Sequence, residues 1–234
     1  MVKRIQIGLV GDFDEKMYTH VALNEAIEHC RPHLHFTLET PWIPTPEVTE
    51  NFLADHNFEG FWIAPGSPYK NDEGVYKLIR WARENNFPLY GSCGGFQYMV
   101  VEYAKNVLGF SDAGHEESDP HVARLVISKL ACSLKGKQEE VIITDKQSWL
   151  HDVLQKDRIT ASYYCSYGVN PKYIHLLDQY PFVFTAFSED EQPRAFELKA
   201  HRFYSATLFQ PPLDSTAEKP NPLLISFFNK CSRQ

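Results

Sequence analysis

Pro88-Leu89-Tyr90-Gly91-Ser92-Cys93-Gly94-Gly95-Phe96-Gln97 is the stretch of this 234-residue chain from which its fold is read. Residues 88–92 are a short apolar run opened by proline. From about Gly94, the residues Phe96, Met99, Val100 and Tyr103 fall at i, i+3, i+4 and i+7. That spacing draws one apolar stripe along a helix, so the segment reads strand, glycine-rich turn, helix. Cys93 sits at the apex with glycines on both sides, the form of a nucleophile elbow in which small neighbours remove the clashes of a sharp bend. The dipole and free N–H groups at the helix start favour a thiolate there. The Gly94 N–H can also face an oxyanion forming on a bound carbonyl. The alternative is a small buried cysteine at a tight strand–helix junction, since free cysteine is among the most buried residue types.

Outward from this unit the pattern repeats. On the amino-terminal side, residues 60–64 read as a strand running into a Pro65-Gly66-Ser67-Pro68 loop. Asp72 then reads as an N-cap for a helix with Val75, Leu78, Ile79 and Ala82 on one face. Further back are a β-branched strand at 5–10, a helix at 15–30, an alternating strand at 33–39 and a helix reaching about residue 56. Strands alternating with helices imply a mostly parallel sheet covered on both faces. Beyond Gly109 the chain turns to strands, at 122–132, 139–144, 160–169, 181–187, 194–199 and 203–209. A polar tract at 211–220 and an amphipathic helix at 221–231 follow. The fold class expected is α/β, a three-layer flavodoxin-like sheet with a β-rich second half, formed by residues 1–234 as one domain. Cys93 lies at the carboxyl end of a central strand, where open α/β sheets bind ligands.

Composition narrows the partners. With 30 acidic against 23 basic side chains and a formal charge of −7, the chain is a poor match for nucleic acid or an anionic membrane. The apolar start is too short for a signal peptide or a membrane span, so a cytoplasmic protein is expected. The five cysteines are widely spaced with no CxxC pair, which suggests neither a disulfide framework nor a zinc site. His33 and His35 share a face if 33–39 is a strand, but they lack a third metal ligand.

Taken together, Ile63-Ala64-Pro65-Gly66-Ser67, the helix with Trp81-Ala82-Arg83-Glu84-Asn85, Pro88, Gly91-Ser92-Cys93-Gly94-Gly95-Phe96-Gln97 and the closing Pro222-Leu223-Leu224-Ile225-Ser226-Phe227-Phe228 resemble the class I (triad) glutamine amidotransferases, and within them the glutaminase domain of CTP synthase. The resemblance implies a class I amidotransferase fold over nearly the whole chain. No GxxxxGK[ST] phosphate loop is present, so the expectation is a stand-alone domain without the synthetase half. The resemblance also implies Cys93 as nucleophile, Gly66, Ser67 and Gly94 as the oxyanion site, Gln97 in the pocket wall, and Glu117 on the amino group of glutamine.

Two departures alter the chemistry expected. Where the family carries its His-Pro-Glu base and orienting carboxylate, this chain has Gln210-Pro211-Pro212. Where the family supplies an arginine for the glutamine carboxylate, Ser166 stands beside Tyr167. A carboxamide cannot relay a proton, and proton transfer is worth about 10²- to 10⁴-fold. Ordinary glutaminase activity should therefore be reduced or lost. His115, with Glu116 or Glu117 orienting it, is the candidate replacement base; its alternative is a solvated histidine on a surface loop.

The reading is an amide hydrolase or amidotransferase acting on a small amide or amino-acid-like substrate through an acyl-enzyme on Cys93, with no cofactor. The alternatives are an inactive binding module for a metabolite or partner, and a glutaminase subunit active only with a synthase partner. A homo-oligomer is compatible with each.

Overall fold

The computed structural model describes residues 3–232. The first half builds β1 (Arg4–Val10), α1 (Tyr18–Cys30), β2 (Thr37–Glu39), β3 (Trp42–Ile43), α2 (Glu50–Asp55), β4 (Gly60–Ile63), α3 (Asp72–Glu84), β5 (Leu89–Ser92) and α4 (Gly94–Asn106). The second half adds β6 (Ala113–His115), β7 (Arg124–Lys129), β8 (Lys137–Ile143), α5 (Trp149–Leu154), β9 (Arg158–Tyr163), β10 (Tyr167–Val169), α6 (Ile174–Leu177), β11 (Phe182–Phe187), β12 (Pro193–Leu198), β13 (Tyr204–Thr207) and α7 (Pro222–Ser232).

Among the described residues, the main sheet runs in the order β2-β1-β4-β5-β13-β12-β11-β8-β9, with β3 also on β1. Strands β1 to β5 and β13 pair in parallel, whereas β12, β11, β8 and β9 continue the sheet antiparallel. This is the α/β sheet the sequence implies, parallel in one half and β-rich in the other. Strand β5 is buried along its whole length between β4 and β13, because parallel strands covered on both faces must be apolar throughout.

A second sheet, β10-β7-β6, lies over α4, which touches strands of both sheets. Hence residues Gly94 to Ala104 of α4 are all buried, while α3 buries only one stripe, Gly74, Val75, Tyr76, Leu78, Ile79 and Ala82. Between these two helices the buried Glu102 carboxylate accepts from Arg83 Nη2 at 2.8 Å and Nε at 3.0 Å.

Several sequence expectations shift. Asn71, not Asp72, caps α3 by accepting from the Gly74 N–H, and Asp72 instead accepts from Tyr98 Oη and the Tyr69 N–H. The stretch 33–39 is not one strand. His33 ends a 3-10 turn and His35 lies in a loop, both exposed, so the two do not share a strand face. Residues 160–169 divide: β9 pairs with β8 in the main sheet and β10 with β7 in the second, leaving Tyr164, Cys165 and Ser166 at the crossing. Residues 113–115 form the buried strand β6 parallel to β7 rather than part of a loop.

Candidate active site

Cys93 caps the start of α4 with φ 54° and ψ −108°, a conformation that costs a β-carbon-bearing residue about 1–3 kcal/mol. The neighbouring glycines make the bend feasible. A Cβ on Gly95 would stand 2.4 Å from the Ile63 carbonyl oxygen at the end of β4, so only glycine lets the helix start so close to the sheet. A Cβ on Gly94 would stand 3.0 Å from the Ser67 side chain, which places the 66–67 loop directly across from the helix start. The Cys93 N–H donates to Thr207 O at 2.9 Å, and its thiol donates to Tyr164 O at 3.7 Å.

The loop bearing Gly66 is held from beneath by His20, a residue the sequence did not single out. Its Nδ1 accepts from the Asp14 N–H at 3.0 Å, leaving Nε2 to donate to Pro65 O at 2.8 Å. Burial lowers its pKa against the opposing pull of Pro65 O, Asp14 and Asp12, which keeps the neutral tautomer in place. Gly66 itself adopts φ 121°, open to glycine.

Cys93 opens into a cavity of about 100 Å³ whose walls include Gly66, Ser67, Gln97, Glu117, Lys135, Cys165, Ser166, Tyr167 and Gln210. Larger hollows, of about 260 to 720 Å³, lie away from Cys93 and contain no part of the elbow. The structure thus gathers most of the expected site residues around one small space. Glu117 stands at the rim, where partial burial raises its pKa while Lys135 and the Ser67 hydroxyl pull it down. Lys135 was missed in the sequence because it lies in a loop far along the chain from the elbow. Ser166 Oγ bonds Ser133 Oγ at 2.9 Å, and Ser133 Oγ accepts from the Lys135 N–H at 3.3 Å. The loop that Ser166 touches therefore brings a cation, Lys135, to the cavity wall.

His115 does not join them. It is fully buried, donates through Nε2 to Gln97 Oε1 at 3.0 Å, and accepts through Nδ1 from the Glu117 N–H at 3.0 Å. Both ring nitrogens are spent, and burial pushes its pKa down to about 3, so it is a neutral strut. Its effect is on Gln97, whose Nε2 donates to Tyr167 O at 2.8 Å and whose Oε1 also accepts from Ser67 Oγ at 3.4 Å. Glu116 does not orient the imidazole; its carboxylate accepts from the Lys129 N–H at 2.6 Å. A Cys93-His115-Glu116 relay is therefore not assembled. The physical reason is β6, which buries His115 within the second sheet instead of leaving it on a surface loop.

Gln210 follows β13 and is fully buried in the cavity wall, and neither Oε1 nor Nε2 has a partner. Pro212 is buried in the 3-10 turn Pro211–Asp214, and Asp214 accepts from the Ser162 N–H at 3.0 Å and from Ser162 Oγ at 2.5 Å.

Residues 18–229 match the family model for glutamine amidotransferase class-I. The chain belongs to the class I glutamine amidotransferase family. Among its relatives, the CTP synthase of Caldivirga maquilingensis is 33% identical over 95% of this chain and 43% of that protein. The CTP synthase of Sulfolobus acidocaldarius is 29% identical over 98% of this chain and 46% of that protein. The chain thus spans about half the length of the curated relatives it matches. In fold it is similar to the Trypanosoma brucei CTP synthase glutaminase domain with bound acivicin, with a TM-score of 0.88 at 23% identity over 98% of this chain and 94% of that one. Membership in this amidotransferase family fits the elbow, the facing 66–67 loop and the cavity between them. Among the described residues no helix is long and apolar enough to cross a membrane.

Proposed function

We propose that this amidotransferase homologue is a hydrolase for a small carboxamide carried on an amino-acid-like molecule, acting through an acyl-enzyme on Cys93 and slow toward glutamine. The observation that carries the reading is the strained backbone of Cys93 at the buried start of α4, opening into the cavity. Strain of this kind persists only where the surrounding structure over-determines it, and it clusters at working sites. In the proposed reaction Cys93 Sγ attacks the amide carbon, while the Gly94 N–H and the 66–67 loop receive the oxyanion. Ammonia leaves with a proton from water, and a second water hydrolyses the thioester. Glu117 and Lys135, of opposite charge at one rim, suit the ammonium and carboxylate of an α-amino acid. The neutral Gln210 leaves each proton transfer to solvent, which is why turnover is slow.

A second reading, a ligand-binding module without turnover, is favoured by the unpartnered Gln210 carboxamide, which offers one donor and one acceptor group to a ligand. Ammonia release from glutamine and shorter amino-acid amides, with intact-mass detection of an adduct on Cys93, tests both readings. Wild type should release ammonia above a Cys93→Ser control and accumulate the acyl-thioester. Acivicin, bound by the T. brucei domain, serves as an independent probe of the same cavity. Stabilisation by acivicin or an amino-acid amide without ammonia or adduct would overturn the hydrolase in favour of the binding module.

A further inference from the structure

Cys165 is the second thiol in the wall of the Cys93 cavity, and it is buried at the point where the chain crosses from β9 to β10. The carbonyl that accepts from the Cys93 thiol at 3.7 Å is that of Tyr164, so it belongs to the same peptide group as the nitrogen of Cys165. The Cys165 thiol is raised well above its usual range, first by Cys93 beside it and then by burial. Arg194 pulls the other way; it is almost fully buried beneath Tyr163, and its Nε and Nη1 have no partner. Beside Cys93 the same cavity wall carries a carboxamide, Gln210, and a thiol, Cys165. A thiol raised in this way makes a poor base for Cys93; once Cys93 is oxidised its charge no longer holds the Cys165 proton, Arg194 still favours the thiolate, and the Cys165 thiolate can attack.

We propose that Cys93 and Cys165 form a peroxide-responsive dithiol that closes to an intramolecular disulfide within the amidotransferase pocket. In the first step the Cys93 thiolate attacks a peroxide oxygen of a hydroperoxide and the O–O bond breaks. The alcohol or water leaves with a proton from solvent, and Cys93 becomes a sulfenic acid. In the second step Cys165 gives its proton to solvent, its thiolate attacks Cys93 Sγ, the S–S bond forms as the S–O bond breaks, and the departing hydroxide takes a proton back from solvent to leave as water. The two thiols lose two electrons and the peroxide gains them. An external dithiol reverses the reaction by exchange. The disulfide removes the nucleophile from amide chemistry, yet its formation requires no amide turnover, so it stands or falls separately from the hydrolase reading.

The test treats the full reduced chain with equimolar hydrogen peroxide in the presence or absence of dimedone, followed by non-reducing digestion and peptide mass spectrometry. Wild type should yield a cross-linked peptide pair containing Cys93 and Cys165 as the main product, reversed by dithiothreitol, with little dimedone on Cys93. In Cys165→Ser and Cys165→Ala the cross-link should vanish and dimedone-trapped Cys93 should become the main product. A circular dichroism melt of each variant confirms that it is folded. Dimedone labelling of Cys93 in wild type equal to that in both variants would overturn the proposal. Oxidation confined to the exposed Cys132 would overturn it as well.

Discussion

At Cys93 the backbone holds a conformation that a non-glycine residue avoids, and it does so because every neighbour is fixed. The N–H is tied to Thr207, Gly95 presses on the end of β4, and Gly94 faces Ser67. The side chain is therefore aimed by the protein rather than chosen by its own rotamer preference. Gly95→Ala tests that statement. Its Cβ would meet a backbone oxygen at 2.4 Å, which cannot rotate away, so the cost should reach about 3 kcal/mol, the upper end for overpacking. Urea unfolding of the variant measures it, and a loss under about 1 kcal/mol would mean that the helix start can shift. His115 makes the converse point. As a residue type it suggested a base, but both nitrogens are committed, to Gln97 and to the Glu117 N–H.

Helix α4 joins the two sheets and α3 clamps it through Arg83 and Glu102. Because Glu102 is fully buried, Arg83→Ala would strand a charge, and such losses cost about 3–5 kcal/mol. A thermal melt should show the drop, and Arg83→Ala with Glu102→Leu should recover much of it, because the stranded charge is then gone. Under the proposed function, the segment after β13 sets the rate of proton transfer. Gln210→His with Pro212→Glu puts an imidazole in the cavity wall two residues from a carboxylate, and glutaminase activity should rise about 10²- to 10⁴-fold. Ammonia release from glutamine is the readout, and no rise would mean that the cavity rejects glutamine itself. Elements of the parallel half were legible from sequence because each is a local pattern: an apolar run, a turn and a 3.6-residue stripe. Strand β6 was not, since Ala113-Gly114-His115 has no β-like periodicity and is a strand only because β7 pairs with it. The division of 160–169 was invisible for the same reason. Its two halves look alike as strands and differ only in the partner each finds.

For the whole molecule, buried neutral histidine sets an acid limit. His115 titrates at about 3 when folded and near 6.5 when exposed, so between those values the unfolded chain takes up a proton that the folded one refuses. Its contribution to stability is fully present above pH 6.5 and is lost as pH falls from about 6.5 toward 3, by up to about 1.4 kcal/mol per pH unit. Urea unfolding from pH 7 to pH 4 should show a shallower decline in His115→Gln than in wild type. Parallel curves would mean that the imidazole is protonated in place.

The sequence alone determined the α/β class, the strand-turn-helix around Cys93, the 66–67 loop before it, and the presence of a carboxamide and a proline at 210 and 212. These follow from local pattern and from residue chemistry, which need no knowledge of distant partners. Only the tertiary structure decided that His115 braces Gln97, that His20 holds the 65–66 turn, that Lys135 reaches the cavity, and that Cys165 shares the cavity with Cys93. Each of these joins residues whose proximity is created by sheet pairing and helix packing. Contacts of that kind depend on where the whole chain comes to rest, which no spacing along the sequence encodes.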